Sequence, residues 1–252
     1  MSHKRSYLSY SSLKAFEKSP NHYIQYVTRE TKAPSAAMVF GSAAHKWILE
    51  RSSFDDKYFV APKVDKRTEN GKKLAKEIQD SGKEYISDDD FLRISKMASI
   101  INQNEWAKKL VYDMAEGYEV EIKGDINGYP FKGYADIVGP SYVADLKTSS
   151  DIDPKSFSRD AEKLGYHLQA AIYSTITQKE FYWIAIDSNE PHNCVVYWQK
   201  PEDYEASLAY LHHLIDKFKL WDGEFDASPY GSEIIELSLS PWSAIKKFSD
   251  SL

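Results

Sequence analysis

The sequence predicts an α/β (α+β) domain with a central mixed β-sheet flanked by helices, and three observations carry that expectation. Apolar residues recur with helical spacing in the first part of the chain, switch to period two between Tyr118 and Thr148, and return to helical spacing from Tyr204 to Phe218. Turn signals, Asn127-Gly128 and Gly139-Pro140-Ser141, divide the period-two stretch into short strands. No internal repeat or biased linker cuts the chain, so its 252 residues read as one domain, 1–252. Within it a mainly helical part runs to about residue 115 and a sheet with its helices follows.

The elements follow in order. Ser9 can cap a short helix with Leu13 and Phe16 facing inward, ended by Ser19-Pro20. Phe40, Ala43, Ala44, Trp47 and Ile48 mark the core face of a second helix, which starts near Met38 and carries His45. Ser87 with Asp90 opens a third in capping-box style, with Phe91, Ile94, Ala98 and Ile101 buried. Strands are expected at Tyr118 to Lys123, Phe131 to Val138 and Tyr142 to Thr148, as a meander. An amphipathic helix follows from about Ala161 to Thr177, then strands Phe181 to Ile186 and Cys194 to Gln199, a long helix and a last helical piece.

Composition narrows the function classes. With 42% hydrophobic and 28% charged residues the chain is an ordinary globular one. Its longest apolar run, Phe181 to Ile186, is far short of a bilayer span, and no apolar segment follows the basic N-terminus as a secretory signal requires. The lone Cys194 rules out an intrachain disulfide and a protein-supplied Cys₄ cluster. Walker A, G-x-G-x-x-G and H-E-x-x-H patterns do not occur, and Ser11-Ser12-Leu13-Lys14 reads as a helix start despite matching S-x-x-K. A net charge of −6 argues against a protein that coats nucleic acid, yet Lys63, Lys66, Arg67, Lys72, Lys73 and Lys76 form a local basic stretch. That stretch fits a basic channel or a solvated loop and helix face.

The densest signal is GYADIVGPSYVADLKTS. Pairing about Pro140-Ser141 sets Asp136 and Asp145 nearly opposite each other on one sheet face, and Lys147, two residues beyond Asp145, points to the same side. Two close carboxylates repel unless they share a proton or a cation. Oxygen ligands for a hard divalent ion beside an ammonium suit phosphodiester hydrolysis, in which a water must lose a proton and the phosphorane gains charge. Taken alone, the same three residues equally describe a cross-strand salt bridge. Downstream, Gln169 and Tyr173 share a helical face with Tyr166, which by itself describes core packing with one satisfied amide.

Together these residues resemble the PD-(D/E)xK nuclease superfamily: Asp136, then Asp145-Leu146-Lys147, then Gln169-x-x-x-Tyr173. The segments LSYSSLKAFEKSPNHY, FGSAAHKWILE, YFVAPKVDKRTENGK and LSLSPW narrow the resemblance to the RecE, or exonuclease VIII, C-terminal nuclease domain over nearly the whole chain. It implies a restriction-endonuclease-like core. It implies Mg²⁺, with Mn²⁺ able to substitute, held by His45, Asp136, Asp145 and the Leu146 carbonyl. Catalytic roles would fall to Lys147, Asp136, Asp145, Gln169, Tyr173 and Glu119, with Glu121 competing for the last place. Lys147 is expected to face a hydrated cleft. The resemblance further implies a 5′-to-3′ exonuclease on linear double-stranded DNA, releasing mononucleotides and leaving 3′ tails for a RecT-type single-strand annealing protein. A homo-oligomeric ring, tetrameric if RecE-like, and a cytoplasmic site in a bacterial host, phage- or prophage-encoded, belong to the same set of expectations. A non-catalytic DNA-end-binding module and an endonuclease of the same superfamily are the rival readings.

Overall fold

The computed structural model describes residues 2–29, 34–65, 67–234 and 236. In chain order the helices and strands are α1 (Tyr10–Lys18), α2 (Pro20–Thr28), α3 (Ala36–Leu49), α4 (Phe54–Lys57), β1 (Tyr58–Ala61), α5 (Glu69–Ser81), β2 (Glu84–Ser87), α6 (Asp88–Gln103) and α7 (Glu105–Lys108). After a π-helical turn at Lys109–Asp113 come β3 (Gly117–Ile126), β4 (Tyr129–Val138), β5 (Tyr142–Ser149), α8 (Pro154–Leu164), α9 (Tyr166–Thr177), β6 (Glu180–Asp187), β7 (Cys194–Trp198) and α10 (Pro201–Leu220).

The expected mixed α/β architecture is present. The main sheet runs β3-β4-β5-β6-β7, antiparallel except for the parallel β5–β6 pair, which α8 and α9 connect. β1 and β2 form a separate parallel pair joined through α5. No helix among the described residues is long and apolar enough to cross a membrane.

Local chemistry explains where the structure departs from the sequence expectation. Ser19-Pro20 ends α1 but also starts α2, because Ser19 accepts from the His22 N–H and Pro20 sits where its missing N–H costs nothing. The helix expected over Ala161 to Thr177 is two helices: Gly165, at φ 76°, turns the chain between α8 and α9. β1, α5 and β2 lie in the stretch read mainly for its charge. There Lys63 pairs with Asp89, Arg67 with Asp65 and Lys72 with Glu69, so these cations sit in exposed ion pairs. Lys66, the LSLSPW segment at 237–242 and the last helical piece lie outside the described residues.

Two cores lie on the two faces of the sheet. One gathers Leu13, Phe131, Ala135, Val143, Trp183 and Phe218 beneath α1, α9 and α10; the other gathers Ile48, Ile94, Ile137, Ala144, Leu146 and Ile184 beneath α3 and α6. β5 alternates between them as a pleated strand must. β4 does not: Ala135 and Ile137 are two apart yet join opposite cores, and on β3 Ile122 joins the first while Tyr118 packs on the second. The residues bracketed by these changes are Asp136 and Glu119. They face each other between the pairs Tyr118↔Ile137 and Val120↔Ala135, and Glu119 has φ 51°. The sheet is locally reset where both carboxylates stand, the kind of irregularity that re-aims side chains beside functional sites.

Candidate active site

The β4–β5 ladder ends at Ile137↔Ala144, one step before Asp136 and Asp145 would pair. In place of a β4 carbonyl, the Asp136 side chain takes the next amide: Leu146 N–H donates to Asp136 Oδ2 at 2.9 Å. Helices from opposite faces each reach one of these two carboxylates there. From α3, His45 Nδ1 comes within 3.5 Å of Asp136 Oδ2. From α9, Gln169 Nε2 donates to Asp145 Oδ1 at 2.5 Å.

Lys147 completes the group. Its ammonium lies 2.6 Å from Asp145 Oδ2, donates to Gln169 Oε1 at 3.2 Å and sits over the Tyr166 ring, 4.4 Å from the centroid. The side chain is 19% exposed and rests on the Tyr166 ring, with the 6%-exposed side chain of Asp145 as counter-ion, so it is partly covered where a hydrated cleft is expected. Tyr173, expected to position a phosphate or terminal nucleotide, is buried and donates its hydroxyl to the Tyr134 carbonyl at 2.9 Å, against the side-chain-free surface of Gly133. It is a strut between α9 and β4, and α9 is thereby held at the depth Gln169 needs.

Glu119 and Glu121 part company. Glu119 offers a carboxylate oxygen that, with His45 and Asp136, forms a set of three ligand atoms all within 4.8 Å of one another. Glu121 pairs with Lys123 and Lys132 at 2.5 Å each and accepts from the Tyr134 hydroxyl at 3.0 Å, contacts that hold its carboxyl down to about 2. Asp145 is beside this set of three rather than in it, engaged by Lys147 and Gln169.

Electrostatics agree with a cation site. Burial, then the charge of Asp145, pushes the Asp136 carboxyl well above the usual carboxylate range, against the pull of the Leu146 N–H and Lys147. Partial desolvation followed by Glu50 and Asp145 raises Glu119 as well. Burial lowers His45, which keeps the imidazole neutral and its lone pair free to ligate. Burial, the largest single influence, would also lower Lys147, but the charge and hydrogen bond of Asp145 together with Tyr166 and Asp136 outweigh it and the ammonium is raised. A divalent ion fits this donor set: it would take carboxylate oxygens and an imidazole nitrogen already gathered, and remove the cost of keeping the partly desolvated Asp136 charged.

Comparison with known proteins places the chain. A family described as a PDDEXK-like domain of unknown function, DUF3799, matches residues 9–237. The chain belongs to this family. Among solved structures, a protein of Eubacterium rectale provisionally named an exonuclease superposes on 98% of this chain and 94% of its own, with a TM-score of 0.63 at 16% identity. The alkaline exonuclease LHK-Exo of Laribacter hongkongensis covers 62% of the chain and 87% of its own length, at 14% identity and a TM-score of 0.26. LHK-Exo in complex with dAMP covers 70% and 86%, at 11% identity and a TM-score of 0.30. No curated protein matches at a significant level. The PD-(D/E)xK resemblance read from Asp136, Asp145 and Lys147 is thus correct at the level of family and fold, and the DUF3799 domain here has the restriction-endonuclease-like core expected of it.

Proposed function

We propose that this DUF3799 protein is a divalent-metal-dependent DNA exonuclease that consumes one strand of linear duplex from its 5′ end, releases mononucleotides and leaves a 3′ single strand. The observation that carries the reading is the Lys147 ammonium, fixed at 2.6 Å from Asp145 beside the His45–Glu119–Asp136 set. Mg²⁺ is the proposed ion, with Mn²⁺ as substitute, because carboxylate and carbonyl oxygens dominate the donors. His45, Asp136, Glu119 and the Leu146 carbonyl would hold it, with Asp145 able to turn one oxygen toward it; when bound, it supplies Lewis-acid activation of water and charge neutralisation at phosphate. Strand polarity, a ring of subunits and a RecT-type annealing partner rest on the RecE resemblance.

The chain's own residues then have separable tasks. Lys147 presents a fixed positive charge to the attacking oxygen and to the non-bridging oxygens as the bond to the leaving 3′ oxygen breaks. Gln169, by donating to Asp145 and accepting from Lys147, keeps carboxylate and ammonium in one geometry. Tyr173 and Gly133 fix α9 against β4.

The test is digestion of linear and closed-circular duplex in parallel, with Mg²⁺ and with EDTA. Loss of the linear form alone, and only with metal, supports the proposal. Nicking of the circle replaces it with an endonuclease, and no degradation while Asp145→Ala binds ends as the wild type does replaces it with an end-binding module.

A further inference from the structure

The N-terminal segment Ser9-Tyr10-Ser11-Ser12-Leu13-Lys14 has no part in the metal set, yet it touches the turn that delivers α9 to the site. Tyr10 donates its hydroxyl to the Leu164 carbonyl at 2.6 Å, and Lys14 Nζ donates to the Lys163 carbonyl at 3.1 Å. These are the last two carbonyls of α8, which lack intrahelical partners. The next residue, Gly165, is in the left-handed region, and a Cβ there would lie 2.5 Å from Lys14 Nζ. Ser9 fixes α1 itself through a reciprocal capping box with Ser12.

What the clamp delivers is Tyr166, the first residue of α9, followed one turn later by Gln169. The Tyr166 ring is backed by Phe157 at 5.9 Å, which stacks on Tyr197 at 4.4 Å, so its face is held firmly beneath Lys147. Of the partners of that ammonium among the described residues, Asp145 and Gln169 are bonded to each other, and the third is the ring.

We propose that Tyr166, presented by the α8–α9 turn that Tyr10 and Lys14 of α1 hold, is a positioning residue that aligns the Lys147 ammonium through the face of its ring. The rate consequence rests on the nuclease reading; the coupling between ring and ammonium does not.

Two measurements separate them. Steady-state digestion of linear duplex with Mg²⁺ should show Tyr166→Leu lowering kcat by about ten- to thirtyfold, the worth of a desolvated cation–π contact. KM should stay within about twofold, and Tyr166→Phe should recover most of the rate. Urea unfolding of the metal-free full chain, for Tyr166→Leu, Lys147→Met and the double variant, should be non-additive. Additive losses, or a kcat deficit that Phe does not rescue, would overturn the proposal and leave Tyr166 as packing. An inactive wild type would sink the nuclease reading, while the urea cycle would still decide the coupling.

Discussion

Asp136 Oδ2 accepts the Leu146 N–H at 2.9 Å, so a side chain performs the sheet's hydrogen bond at the point where β4 leaves β5. The residue therefore has a structural and a chemical duty, and substitutions separate them. Asp136→Asn keeps an acceptor for Leu146 and removes the charge; Asp136→Ala removes both and strands a buried amide, at about 1–3 kcal/mol. In urea melts the Asn variant should match the wild type within about 1 kcal/mol and the Ala variant should not. By calorimetry with Mn²⁺, both should bind at least about tenfold more weakly. Wild-type Mn²⁺ affinity in the Asn variant would remove Asp136 from the ligand set.

The two glutamates of β3 should behave oppositely. Glu119 faces Asp136 in a strained conformation and shares its ligand set; Glu121 is spent on Lys123, Lys132 and Tyr134. Glu119→Gln should weaken Mn²⁺ binding about tenfold, whereas Glu121→Gln should leave metal affinity and turnover within about twofold. The reverse ranking would move the site one residue pair along the hairpin.

The sheet and the Asp136, Asp145, Lys147 group were legible in the sequence because period-two alternation and a turn of known length fix which residues oppose one another. The choice of Glu119, which the resemblance named with Glu121 competing, was not decided by the pattern, since strict alternation sets the two no differently. What distinguishes them is a positive φ at Glu119 and a reversal of sidedness on both strands, neither of which a pattern of apolar residues records. The partial cover of Lys147 was not legible for a related reason: Tyr166, on whose ring it rests, arrives through the Gly165 turn, and helical spacing runs unbroken across that glycine. The site role of Tyr173 comes from the resemblance, and the bond of its hydroxyl to the Tyr134 carbonyl is a contact that its spacing from Gln169 does not record.

Removing Lys147 should damage the fold as well as the chemistry. With Asp145 buried and Lys147 partly buried, Lys147→Ala leaves the Asp145 carboxylate without its cation, and loss of one partner from such a pair costs up to about 3 kcal/mol. Turnover should vanish at the same time. Combining Lys147→Met with Asp145→Asn should recover most of the stability and none of the activity, as read by urea melts and duplex digestion. A single Lys147→Ala variant as stable as the wild type would show the ammonium to be better hydrated than its contacts imply.

Metal should matter most to stability at high pH. The Asp136 and Glu119 carboxyls are raised in the folded chain, so above the ordinary carboxylate range the native state holds protons that the unfolded chain has released. Native stability without metal then falls as pH climbs toward the raised values, the opposite of a salt-bridged aspartate. His45, lowered by burial, has the other sign, and its contribution is lost only as pH drops through the ordinary imidazole range. A divalent ion displaces the carboxyl protons, so its affinity rises with pH and each binding event releases protons. The Mn²⁺-induced gain in melting temperature should accordingly be larger at about pH 8.5 than at about pH 6.5, with proton release measurable in buffers of differing ionisation enthalpy. An equal gain at both pH values, with no proton released, would mean that Asp136 is already charged before metal arrives.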